Sequence, residues 1–166
     1  MKYLYKKAYS DEEIFGQDDL SIEIVVPTMR NGFILRGEKK QLSVKLWCVR
    51  FLLQIATFGK ARVYCYRQNG QLVHTSYVVP KCYKFPFLSK HDYEIGPCTT
   101  YPDYRGKGYY PLMLKYICST VGTEKTIFYM IVDENNIASI KGIEKAGFQR
   151  CGSVRRTRIT KVYRLM

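Results

Sequence analysis

The run Thr100-Tyr101-Pro102-Asp103-Tyr104-Arg105-Gly106-Lys107-Gly108-Tyr109-Tyr110 contains the residue types of an anion cradle. Its two glycines let a backbone approach a ligand closely, and they stand where a β-prone run gives way to a helical one. Amides at a helix start have no partner of their own. With the helix dipole they favour a doubly charged group such as a pyrophosphate. Arg105 and Lys107 add positive charge at the edge. An ordinary strand-to-helix turn with solvated basic residues has the same ingredients, so the glycine pair alone does not separate the two readings.

Periodicity supplies the elements that must hold this loop. Ser21–Val26 alternates and is rich in β-branched residues, which predicts a strand stopped by Pro27, and 29–40 reads as a loop with a short extended piece at Phe33–Leu35. From Leu42 to Thr57 the polar residues Ser43, Arg50, Gln54 and Thr57 recur on one face, predicting a mostly buried helix capped by Gly59. Ala61–Arg67 and Gln71–Val79 flank Gln68-Asn69-Gly70, a hairpin signature. Asp92–Thr100 reads as a strand that must bulge or splay at Gly96-Pro97, because proline cannot donate to a ladder.

After Gly108 the pattern turns helical as far as Gly122. Thr126–Val132 has the continuous β-prone run of a strand buried on both faces, Asn136–Ala146 is a helix, and two strands fill Phe148–Leu165. The expected class is mixed α/β (α+β): one domain over 1–166, best supported over 61–166, with a central, mostly antiparallel sheet flanked by helices.

A chain of 166 residues, 46% hydrophobic and 14% aromatic, has enough apolar surface for one packed core. Lys2, Lys6 and Lys7 are not followed by an apolar run, and no stretch approaches ~20 uninterrupted apolar residues, so neither a secretory leader nor a membrane span is expected and a cytoplasmic location is. The six cysteines lack a C-x-x-C pair and the only histidines are His74 and His91, which predicts reduced thiols and no metal site. A net charge of +13 suits anionic partners and argues against strongly cationic substrates.

Pro102, Tyr104, Arg105, Gly106 and Gly108 resemble the coenzyme A loop of the GCN5-related N-acetyltransferases (GNAT), whose pattern is Arg/Gln-x-x-Gly-x-Gly/Ala. The chain departs at the last position, where Tyr110 stands in place of a small residue. A second match follows in order: Asn136, Ser139, Glu144, Lys145, Gly147 and Phe148 resemble the family's next motif, though as isolated residues Asn136 and Gly147 are also natural helix caps. The resemblance covers Tyr93–Gly152 and extends weakly to Ala61.

The resemblance implies direct transfer of acetyl from acetyl-coenzyme A to an amine, less often a hydroxyl, without a covalent enzyme intermediate. It implies a slot between the strands at Tyr93–Thr100 and Thr126–Val132, and a coenzyme site formed by Thr99, Thr100, Arg105, Gly106, Lys107, Gly108, Tyr109, Tyr110, Asn136 and Ser139. Glu94, a carboxylate on the strand feeding that slot, is the candidate general base, with Asp92, His91 and Asp133 behind it. The place where many relatives carry an acid tyrosine is Ile143. Ser139 resembles the serine of N-x-x-S variants, including N-terminal acetyltransferases of ribosomal proteins, and is the second candidate catalytic residue.

The charge fits a small anionic acceptor such as an amino-sugar or sugar nucleotide, and N-terminal protein acetylation is the alternative. A basic nucleic-acid-binding module using Arg150, Arg155, Arg156, Arg158, Lys161 and Arg164 with stacking tyrosines is a rival of another class. So is a coenzyme A-binding scaffold without catalysis. An exposed C-terminal edge strand would permit a homodimer.

Overall fold

The computed structural model describes residues 1–10, 21–28 and 44–166. At its centre is an eight-stranded sheet in the order β2-β3-β4-β5-β6-β1-β7-β8. The strands are β1 (Lys2–Ala8), β2 (Ile22–Val25), β3 (Arg62–Gln68), β4 (Gln71–Pro80), β5 (Tyr93–Thr100), β6 (Ile127–Asp133), β7 (Gln149–Arg156) and β8 (Tyr163–Leu165), with helices α1 (Val44–Ala56), α2 (Tyr109–Thr120) and α3 (Ile137–Lys145). Neighbours pair antiparallel except β5 and β6, which run parallel because α2 carries the chain back between them. The mixed, mostly antiparallel α/β class expected from the pattern is the class observed. Asn69 and Gly70, with φ of 50° and 74°, close the β3–β4 hairpin at Gln68↔Gln71, as a two-residue turn of primed type requires.

Two apolar layers hold the sheet. On one face Met113, Leu114 and Ile117 of α2 and Ile143 of α3 are buried against Val73, Val78, Ile95, Phe128 and Met130. On the other, Val63, Cys65, Tyr77 and Val79 meet Phe85 and Leu88 from the connection after β4, and Leu53 and Ala56 of α1 pack on this cluster. Together they fix β4 and β5 inside the sheet, where candidate site residues lie.

Three local readings are corrected. Residues 2–8 carried no assigned element, yet β1 lies between β6 and β7 with Leu4 and Tyr5 buried. Its lysines keep their ammonium groups at the rim: Lys2 lies 3.7 Å from Asp133, and Lys7 donates to the Ala146 carbonyl at the end of α3.

The described part of α1 turns the opposite way from expectation. Arg50 and Thr57 are buried, whereas Leu52, Ile55 and Phe58 are exposed. Local partners explain it: Arg50 Nε donates to the Tyr77 hydroxyl, Gln54 Nε2 donates to the Ala61 carbonyl, and Thr57 Oγ1 donates to the Leu53 carbonyl while accepting from Ala61 N–H. In β6 only one face is fully buried, through Phe128, Met130 and Val132, because Ile127, Tyr129 and Ile131 are only half covered. The predicted loop at 29–40, its extended piece at Phe33–Leu35 and the helix start at Leu42 lie outside the described residues.

Candidate active site

The two parallel strands separate soon after they meet. Their register pairs are Tyr93↔Phe128 and Glu94↔Tyr129, and from Ile95 onward β5 is paired with β4 alone. Asp92 ties the closed end, accepting from Ser89 N–H at 2.8 Å and from Ile127 N–H at 3.1 Å, so this carboxylate has a structural task. On the β4 side the register slips between Ser76↔Cys98 and Val78↔Ile95, opposite the Gly96-Pro97 step where the sequence requires a disruption. The β5 edge facing β6 is thereby left with backbone groups that an extended ligand can pair with, as an added strand does.

Glu94 lies at the root of this opening. It is 6% exposed, and burial pushes its carboxyl up to about 8, with the Lys84 ammonium opposing the shift. A Cβ at position 96 would come within 2.8 Å of Glu94 Oε1, so a side chain there would displace the carboxylate. The carboxylate therefore folds over the Gly96 backbone. His91 is exposed, and Asp133 is exposed and paired with Lys2, so neither competes for the same place.

Along β4 and β5 runs a buried polar chain that sequence reasoning did not assemble. His74, fully buried, meets Thr100 Oγ1 through Nδ1 at 2.7 Å and Ser76 Oγ through Nε2 at 2.8 Å, while Ser76 Oγ donates to Cys98 Sγ at 3.2 Å. Each ring nitrogen of His74 thus has a hydroxyl partner. Burial drops the His74 pKa to about 4, so the imidazole is neutral, and burial pushes the Cys98 thiol up to about 12, too high for a ready nucleophile. The signal was the antiparallel register, which sets His74 opposite Thr100 and Ser76 opposite Cys98. It exists only once β4 and β5 are paired.

Tyr110 completes the group. Its ring centroid lies 5.6 Å from that of His74, and burial raises its pKa. A Cβ on Gly142 of α3 would sit 2.5 Å from Tyr110 Cδ1. The bulky residue at the end of the loop is thus accommodated by a missing side chain on the facing helix, and the ring turns inward.

The loop itself is braced from below. Tyr104 donates to Gln71 Oε1 at 2.8 Å and Tyr109 to Gln68 Oε1 at 3.1 Å, both on the hairpin, and Tyr66 packs 5.2 Å from Tyr109. Arg105 Nε donates to the Thr100 carbonyl at 3.1 Å, and the Lys107 ammonium lies over the Tyr104 ring. Gly106 and Gly108 have φ of 76° and 81°, and a Cβ on either would meet nothing within 4 Å. Glycine is needed there for the left-handed backbone, and the space above it is open to a ligand. Gly108 is the cap of α2, so the first-turn amides of Tyr109 and Tyr110 have no intrahelical partner.

The α3 residues divide into two groups. Asn136 caps the helix by accepting from Ser139 N–H at 3.2 Å, and Ser139 stands one turn before Gly142, on the side facing Tyr110. At the other end the Glu-Lys-x-Gly-Phe segment is a clasp. Gly147 (φ 88°) turns the chain, Phe148 N–H bonds the Ile143 carbonyl, and Tyr5 donates to Glu144 Oε1. Ile143 itself is 1% exposed within the core.

Solved structures of similar shape exist. An acetyltransferase of the GNAT family from Colwellia psychrerythraea superposes with a TM-score of 0.61 at 15% identity, covering 90% of this chain and 52% of that one. One assigned to the GNAT family from Novosphingobium aromaticivorans gives 0.50 at 17% identity, covering 91% and 61%. The chain has the GNAT fold. A conserved protein of unknown function from Staphylococcus epidermidis shares it, with a TM-score of 0.57 at 12% identity and coverage of 90% and 57%. The chain spans between about half and three-fifths of the length of these structures. No protein-family model matches the sequence, and no curated protein is significantly similar to it.

The basic residues of β7 and β8 are exposed, the Arg150 guanidinium lying 3.5 Å from the Tyr3 ring centre and that of Arg156 over Tyr163. Among the described residues no group of His, Cys, Asp and Glu is placed to hold a metal, and no helix is long and apolar enough to cross a membrane.

Proposed function

We propose that this chain, acting as a single domain over 1–166 in the cytoplasm, transfers an acetyl group from acetyl-coenzyme A directly to an amine of a small anionic acceptor, of the amino-sugar or sugar-nucleotide class. One observation carries the reading: an open, glycine-lined helix start adjoins a strand splay with a buried carboxylate at its root. Acetyl-coenzyme A would supply the activated thioester. The first-turn amides of α2 with Gly106, Gly108, Arg105 and Lys107 would hold its pyrophosphate, and the free edge of β5, Thr99 and Thr100 included, would pair with its arm. Asn136 and Ser139 would line the far side, and Glu94 would take the amine proton.

Unfolding temperature reports directly on the first half of this reading. Saturating acetyl-coenzyme A at a hundred times its dissociation constant should add about 2.7 kcal/mol, or roughly 5–10 °C for a chain of this size. An Arg105→Ala/Gly108→Trp variant should lose the shift, because the indole fills the cradle and the left-handed backbone at 108 opposes it. A wild-type protein that shows no shift would defeat the proposal, and salt-dependent nucleic-acid binding would then be the property to measure.

Gly96→Ala addresses the second half. The new methyl would displace the Glu94 carboxylate, and a misplacement of about 1 Å costs roughly a hundredfold in rate. Turnover should drop by about that factor with acetyl-coenzyme A affinity unchanged. Equal turnover in the two proteins would show that the position of Glu94 does not matter to the reaction.

A further inference from the structure

We propose that the hairpin of β7 and β8 docks this protein on an anionic lipid surface, with Ile159 at its tip entering the interface. From Gly147 to Met166 the chain carries Arg150, Arg155, Arg156, Arg158, Lys161 and Arg164 and no Asp or Glu. All six cations are exposed, and among the described residues none of them has a carboxylate within ion-pair distance. Arg155 stands directly opposite Arg164 in the ladder. Like charges so placed repel each other, and a negatively charged surface relieves that repulsion.

Charge alone would suit any polyanion, and the tip selects among them. Thr157 N–H donates to the Val162 carbonyl at 2.9 Å, Val162 N–H donates to Thr157 Oγ1 at 3.0 Å, and the Thr157 and Thr160 hydroxyls lie 2.6 Å apart. This bracing presents Arg158-Ile159-Thr160-Lys161 outward, with Ile159 92% exposed. An apolar side chain flanked by two cations suits a bilayer interface, where it is buried while the charges stay at headgroup level. A single-stranded nucleic acid would use open aromatic faces for stacking. Here those faces are taken: Arg150 lies over the Tyr3 ring, and Tyr163 is stacked on Phe85 with Arg156 over it. Topology gives the direction. β7 is antiparallel to β1 and β1 to β6, so β7 runs with β5 and β6, and the tip leaves the sheet at the end toward which the slot opens. On the acetyl-transfer reading docking holds the slot mouth near the lipid, but the docking itself does not rest on that reading.

Vesicle co-sedimentation of the full chain tests this, with phosphatidylcholine alone and with about one-third phosphatidylserine, at about 0.15 M salt. The wild type should bind only the anionic vesicles. Arg158→Glu/Lys161→Glu should weaken that binding at least about thirtyfold, since each cation near such a surface is worth about fivefold. Ile159→Ser should weaken it about tenfold, because the apolar side chain that enters the interface is gone. Lys90→Glu/Lys125→Glu removes the same net charge from exposed positions just ahead of β5 and β6, at the opposite end of the sheet, and should bind as the wild type does. All the altered side chains are exposed, so the core needs none of them. A wild type that does not distinguish the anionic vesicles, or equal loss in the two double variants, overturns the proposal. Full binding by Ile159→Ser overturns it as well, because the tip then plays no part. A polyuridine strand bound through Arg158 and Lys161, with no binding to anionic vesicles, would assign the face to nucleic acid instead.

Discussion

Glu94→Gln should slow acetyl transfer by about 10²–10⁴-fold, the range for loss of a positioned general base, while acetyl-coenzyme A binds as before. An amine attacks only through its lone pair, so the base must accept a proton as the bond forms, and it works best with a pKa near the ambient pH. A surface glutamate near 4.5 would be a weak base. Burial at the root of the splay pushes Glu94 up to about 8, and the nearby Lys84 ammonium opposes that shift without cancelling it. The wild-type rate, measured with an amine found by screening amino-sugars and peptides, should therefore climb with pH and level off above about 8. The glutamine variant should lose that limb as well as the rate. A variant that is slow but keeps the limb would place the titrating base elsewhere.

How much of this site could be read in the chain depends on whether a feature is local. The Asn69-Gly70 turn, the Gly106 and Gly108 loop and the Gly147 clasp are each fixed by backbone conformations that only a few residue types adopt, so they show in the residues themselves. The disruption at Gly96-Pro97 was legible for a similar reason, since a missing donor must break a ladder. β1 was not, because Lys-Tyr-Leu-Tyr-Lys-Lys-Ala becomes a strand only by entering between β6 and β7, more than a hundred residues away. The orientation of α1 failed on side-chain chemistry. Periodicity separates polar from apolar faces, but it cannot know that Arg50 and Thr57 have partners inward.

The polar group around Cys98 was the deepest miss. His74, Ser76, Cys98, Thr100, Tyr110 and Gly142 come from two strands and two helices, and no spacing in the sequence relates them. Tyr110 in particular reads as a blemish on a phosphate loop until Gly142 is seen to make room for its ring. A residue that breaks a local rule without weakening the fold around it is a natural place to look for function.

The same two buried groups should give the protein opposed pH limbs of stability. The Glu94 carboxyl is raised in the folded state to about 8, so its contribution is fully present below the unfolded value near 4.5 and is lost as pH rises through about 8. His74 is lowered to about 4, so its contribution is present above about 6.5 and lost as pH falls through about 4. Each limb is on the order of 3–5 kcal/mol when complete, against a typical total of 5–15 kcal/mol. Between about pH 4.5 and 6.5 the two slopes oppose, so denaturant midpoints of the wild type should peak there and fall toward pH 8. Glu94→Gln should remove the alkaline fall and uncover the acid one, giving a level profile from pH 8 to 6.5 and a decline below it. His74→Gln should flatten that acid decline, although it lowers stability at neutral pH by leaving Thr100 or Ser76 short of a partner. If the Glu94→Gln profile is as steep as the wild type above pH 6.5, the carboxylate is already ionised in the folded protein at neutral pH. In that case it cannot be the base that titrates near 8, and the expected rate profile fails by the same measurement.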